Sequence, residues 1–239
     1  MRLGLRDASG NVQLGERVPV AGVRMRNLEE IPAYGMVEAA HYLRVPRKTL
    51  EYWVEGKSSQ PALIQLASVD PPRFSFANLL ECHVLTAIRT HNVKVHRVRR
   101  ALETLRGKFP SRHPLIDREF LTDGLDLFIQ EGGLVNLVRS GQLAMREVLE
   151  IYLRRIERDP RIRFFPFVTR KAADEPRIVV IDPQISFGRP VIAGTSIGTA
   201  IIASRFEARE SIQGLANEYQ ITPGEIEEAI RWETQPIAA

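Results

Sequence analysis

Residues 35–56 read GMVEAAHYLRVPRKTLEYWVEG, and this stretch decides how the front of the chain folds. Met36 or Val37, Ala39, Ala40 and Leu43 recur at the spacing of a helix with one apolar face. Arg44-Val45-Pro46 breaks that helix: Pro46 disfavours helical geometry at the residue before it and suits the first turn of a new one. The second helix is expected from Arg47 to about Glu55, with Leu50, Trp53 and Val54 inward and Gly56 as its stop. Arg47, Lys48, Thr49 and Tyr52 then occupy its N-terminal, outward side. A first turn carrying two cations, a hydroxyl and an aromatic ring suits entry into a major groove.

The pattern Val45-Pro46-Arg47-Lys48-Thr49-Leu50-Glu51-Tyr52-Trp53 resembles the helix-turn-helix of MerR-type winged-helix regulators, in which Val-Ser-Pro-Arg-Thr-Leu-Arg-Tyr-Trp spans turn and recognition helix. The likeness covers about 20 residues and departs at Glu51, where the family usually has a second Arg. A carboxylate there weakens attraction to phosphate. A helical hairpin that only packs is the plainer reading of the same residues.

Downstream, Leu63–Leu66 and Arg73–Phe76 look β-like around Asp70-Pro71-Pro72. They suggest a wing hairpin beside the helices, with Lys57 and Arg73 placed to touch backbone phosphates. Apolar spacing predicts helices over Phe76–Arg89 and Lys94–Lys108. The second would carry Lys94, Arg97, Arg99, Arg100, Arg106 and Lys108 on one side, either a solvated face or a nucleic-acid contact. His83, His91 and His96 lack the i, i+4 pairing of a metal site. Pro110 and Pro114 suggest a boundary around Ser111-Arg112-His113. Residues 117–133 hold an Asp123-Gly124 hairpin signal, Ala144–Ile156 a helix, and Arg161–Val168 a strand held to a sheet edge by Pro166.

The whole chain of 239 residues is 44% hydrophobic and 26% charged, the balance of a globular protein. No apolar run reaches the roughly 20 residues of a membrane span, and the N-terminus shows no signal-peptide pattern. The single cysteine, Cys82, excludes an internal disulfide and a multi-cysteine metal site. These features point to the cytoplasm. Charge is unevenly spread: Tyr34–Pro110 holds 12 Lys/Arg against six Asp/Glu, whereas 171–239 holds six against ten. A basic front and an acidic back imply two different partners.

In the last third, Ile178–Ile181 reads as a buried strand turned by Asp182-Pro183, followed by a second extended element around Gly188–Thr195. Three helical stretches follow, at Thr199 to Phe206, Ser211 to Tyr219 and Thr222 to Trp232, with Ser211 and Thr222-Pro223-Gly224-Glu225 as N-terminal caps. Asp182-Pro183, Gly188-Arg189-Pro190-Val191-Ile192-Ala193-Gly194-Thr195, Thr199 and Glu210-Ser211-Ile212 resemble a bacterial and archaeal family long carried as a domain of unknown function. The motif lacks the Gly-Lys-Ser/Thr ending of a P-loop and the spacing of a dinucleotide fingerprint. Its last helices have helix-turn-helix spacing, but Glu225, Glu227, Glu228 and Glu233 oppose a DNA contact and favour a protein-interaction surface.

Such domains are commonly the antitoxin of a pair whose partner is a PIN-like ribonuclease toxin, the VapB–VapC arrangement, and the longer form with a MerR-like front looks like this chain. The expected fold is therefore α+β: an arm at 1–33, a MerR-like winged helix-turn-helix at 34–110, a small α/β middle region at 111–170, and a β-hairpin plus three-helix (homeodomain-like) domain at 171–239. The resemblance implies an antitoxin that neutralises a VapC-type ribonuclease and binds operator DNA as a homodimer. The alternative is a stand-alone MerR-like regulator whose C-terminal domain dimerises. No nucleophile–base set and no converging carboxylates are legible, so neither enzyme activity, cofactor nor metal is expected.

Overall fold

A computed structural model describes residues 27–56, 61–90, 93–109, 111–117, 139–168 and 175–236, with side chains of the 139–153 helix from Met145 onward. The predicted hairpin over 117–133 lies almost wholly outside them, as do Lys57, His91 and most of the arm at 1–33. Among the described residues the fold is α+β, with eight α-helices and three two-stranded antiparallel sheets.

Helix α1 spans Met36–Leu43 and α2 spans Arg47–Glu55. Gly35 N–H is capped by the Glu38 carboxylate at 2.8 Å. Arg44 takes a left-handed conformation that ends α1, Pro46 caps α2, and Gly56 at φ +65° leaves it. Leu50 and Trp53 are buried, and Val54 packs partly against them. Between the two candidates at the start of α1, Met36 turns toward the core, while Val37 is 65% exposed.

The wing reading needs correction. Residues 63–66 form no strand, because an apolar run by itself does not distinguish a strand from a buried coil. Leu63 and Ile64 are buried by donating their N–H groups to the Trp53 carbonyl at 2.8 and 3.2 Å. Asn78 secures the residues between this coil and α3, donating to Gln65 O and accepting from the Ala67 and Ser75 N–H groups. The hairpin itself is short: β1 Ser68–Val69 pairs with β2 Pro72–Arg73.

Helix α3, Phe76–Thr90, is buried from Phe76 to Ile88. Helix α4, Val95–Lys108, contributes Val98, Ala101, Leu102 and Leu105 to the core. Its cations are not one free face. Arg99 is buried and donates from Nε to Pro61 O at 3.1 Å, while Arg106 donates to Leu63 O at 3.0 Å. Both hold the 61–64 segment against the helices. Lys94, Arg100 and Lys108 remain exposed.

Helix α5, Arg139–Leu153, packs on α3. His83 hydrogen-bonds the Tyr152 carbonyl at 3.0 Å, and burial pushes its pKa down to about 3. A neutral, ring-packed histidine of this kind is a core residue. The strand expected over 161–168 is confined to β4, Arg163–Phe164, paired with β3, Ile156–Glu157. Phe164 bridges to Ile181 and so joins this hairpin to β5, Val179–Val180, which pairs with β6, Val191–Ile192.

The chain closes with α6 Thr199–Glu207, α7 Ile212–Tyr219 and α8 Pro223–Thr234. The caps fall as their residues predict. Ser211 Oγ accepts from Gly214 N–H, and Thr222 and Glu225 form a reciprocal capping box. Arg205 ties α6 to α7, bonding Glu210 at 2.7 Å and Glu218 at 2.6 Å. Glu228 and Glu233 are not solvated: Glu228 is buried beside Arg231, and Glu233 bonds Thr199 and sits 3.5 Å from His41.

Ser111–His113 is no open linker. His113 is buried between two carboxylates, with Nδ1 2.8 Å from Glu81 and Nε2 3.0 Å from Glu30. Burial opposes a charge on His113, but hydrogen bonds and charge from Glu81 and Glu30 prevail and raise its pKa. Burial also raises the Glu81 carboxyl, against the pull of His113. A proton held more tightly in the folded chain stabilises it below the unfolded histidine value near 6.5 and is lost as pH rises through the folded value. The melting temperature is therefore expected to fall as pH rises from about 6.5, and His113→Gln should flatten that slope in a thermal-unfolding series.

Candidate nucleic-acid interface

The residues singled out in α2 divide between two sides. Arg47 and Lys48 are exposed, while Thr49 and Tyr52 are half-buried. Leu50 and Trp53 anchor the inner face, with 47 and 51 to one side of it and 48, 49 and 52 to the other. Arg47 faces the β1–β2 hairpin across an open groove of about 600 Å³, and it is not free: its Nε lies 2.7 Å from Glu51. The family departure at Glu51 thus has a local consequence, since its carboxylate takes part of the Arg47 charge.

Lys48, Thr49 and Tyr52 face the other way, toward α3 and α4. The Arg99 guanidinium lies 5.6 Å from the Tyr52 ring centroid. Lys48, Thr49 and Tyr52, together with Trp53, Leu85, Ile88, Val95 and Val98, line a cavity of about 340 Å³. Arg73 is exposed on β2, and its guanidinium lies about 4 Å from where a Cβ on Gly35 would sit, at the start of α1.

Sequence reasoning missed the contacts that position α1 and the turn before α2. Buried Arg44 spreads over the Trp232 ring, 4.4 Å from its centroid, and donates to the Trp232 and Gln235 carbonyls. Arg189, from the Gly-Arg-Pro motif, pairs with Glu38. The Tyr34 hydroxyl donates to Gly188 O at 3.1 Å, and Gly188 sits at φ +75° so close to Tyr34 that a Cβ would meet its oxygen at 2.3 Å. That glycine is required by both conformation and space. Among the described residues, no group of three or more His, Cys, Asp or Glu side chains is arranged to hold a metal. No helix among them is long and apolar enough to cross a membrane.

A winding of helices and short hairpins like this one has relatives. The family described as "Protein of unknown function (DUF433)" matches residues 179–232. Over nearly its whole length the chain is similar to a Mycobacterium tuberculosis protein named "Putative antitoxin VapB45", 28% identical over 233 residues, covering 84% of this chain and 93% of that protein. It is also 25% identical over 227 residues to "Uncharacterized protein Rv2308" of the same organism, covering 88% of this chain and 93% of that one. The crystal structure of Rv2018 from Mycobacterium tuberculosis superposes with a TM-score of 0.65 at 26% identity, covering 84% of this chain and 98% of the other.

Proposed function

We propose that this chain is the antitoxin of a toxin–antitoxin pair, acting by binding rather than by catalysis. The observation that carries the proposal is its similarity, across 84% of its length, to a protein named as an antitoxin. In this reading the partner is a PIN-like ribonuclease of the VapC type, masked by the acidic C-terminal region at 171–239, a β-hairpin plus three-helix, homeodomain-like unit. The front region, 34–110, is a MerR-like winged helix-turn-helix that reads operator DNA from a homodimer, with the intervening 111–170 joining the two. Arg47, Lys48, Thr49 and Tyr52 contact the groove and its phosphates, Arg73 anchors the backbone from the short hairpin, and Lys57 is assigned a further backbone contact. The exposure of Arg47, Lys48 and Arg73 supports this assignment.

The test is co-expression with the product of the adjacent gene. Co-purification, with the neighbour toxic when expressed alone, is the expected result; neither complex nor toxicity would overturn the antitoxin reading. A second expectation concerns Glu51. Glu51→Gln removes a carboxylate from the DNA-facing side and releases Arg47, so operator affinity by fluorescence anisotropy should rise about three- to tenfold at low salt.

A further inference from the structure

We propose that the cavity between α2, α3 and α4 is a binding site for a small amphipathic anion, an aromatic or short acyl body bearing one carboxylate. Its floor is apolar, made by Leu85 and Ile88 of α3, Val98 of α4 and Trp53 of α2. Two cations, Lys48 and Arg89, stand at its exposed rim, and among the described residues neither makes an ion pair. The volume, about 340 Å³, falls in the range of small-molecule sites. A half-open apolar depression with two exposed cations at its rim, among the described residues, suits a molecule with the complementary arrangement: a hydrophobic body to displace water and one negative head to meet the cations. A nucleic-acid phosphate would satisfy the rim and leave the apolar floor uncovered.

Position gives the site a consequence, which rests on the DNA-reading role proposed for α2. Lys48 and Thr49 line the cavity and also belong to the expected DNA contact set. A carboxylate held by Lys48 takes that cation from a phosphate, so ligand and operator oppose one another. By linkage, each lowers the other's affinity by the same factor. The chain would thus sense an organic acid at the recognition helix itself.

Isothermal titration of the full chain with 2-naphthoate, and with its neutral isostere 2-naphthamide, tests the site without DNA. Saturable one-to-one binding of 2-naphthoate is expected, with the amide at least tenfold weaker and the Lys48→Ala/Arg89→Ala variant losing that preference. Val95→Trp, at a half-buried lining position, should abolish binding while the melting curve stays cooperative. Val93→Trp, a second lining position, gives the same block if the first variant fails to fold. Absence of saturable binding, or binding that neither the charge removal nor the block changes, overturns the proposal. Repeating the operator titration with 2-naphthoate present separates the two ideas. Reduced operator affinity supports the opposition, and unchanged affinity removes it while leaving the site. A chain that binds the acid but no operator disproves the DNA reading alone.

Discussion

Trp232→Ala is expected to lower the free energy of unfolding by about 3–5 kcal/mol, the largest stability effect of any single truncation proposed for this chain. Trp232 is fully buried at the end of α8, among His41 and Tyr42 of α1, with the Arg44 guanidinium on its face. Removing the indole opens a cavity at the joint between the first and last helices. It also strips the cover from Arg44, a buried cation whose carbonyl partners belong to the same C-terminal turn. Trp232→Phe should cost far less, because Trp232 Nε1 has no hydrogen-bond partner among the described residues. Urea unfolding followed by circular dichroism measures both. If Trp232→Ala cost less than about 1 kcal/mol, the C-terminal helices would not be supporting α1 at all. A loss of the expected size within a single transition of unchanged denaturant dependence means that the front and back regions unfold as one cooperative body.

That joint marks where sequence reading stops. Local chemistry was legible: Pro46 and Gly56 bound α2, and the Thr222-Pro223-Gly224-Glu225 cap starts α8, because each acts within one helical turn. Periodicity also found α3 and α4, whose apolar positions repeat over about four turns. The contacts it missed are non-local. Tyr34 meets Gly188, Glu38 meets Arg189, Arg44 meets Trp232, and His113 reaches back to Glu30. No spacing rule connects such pairs. The misread charges share this cause: Arg99, Arg106, Glu228 and Glu233 follow surface patterns in sequence but find partners inside. The exposure of Arg47 and Lys48 was legible because they lie off the face that Leu50 and Trp53 turn inward. The cavity behind them was not, since its walls come from three helices together with Leu63 and Val93 of the connecting segments.

Lys48→Ala is expected to reduce operator affinity about tenfold and to flatten the dependence of log K on log salt by about 0.9, the contribution of one neutralised phosphate. Arg47→Ala should do less, although both side chains are exposed on the same turn. Arg47 already shares its charge with Glu51 across 2.7 Å, and a phosphate must compete with that carboxylate. The exposed pair itself contributes little to stability, so none of these variants should shift the melting temperature appreciably. The decisive comparison is Arg47→Ala in the Glu51→Gln background. There the arginine is free, and its removal should cost as much as that of Lys48, with the coupling energy read from the double-mutant cycle. Equal losses for Arg47→Ala in both backgrounds would mean that Glu51 does not restrain it in the complex. If neither Lys48→Ala nor Arg47→Ala changes affinity or salt slope, α2 is not the reader. The exposed cations at and along α4, Lys94, Arg100 and Lys108, would then be the surface to test, because unlike Arg99 and Arg106 they are exposed and not bonded to the 61–64 segment.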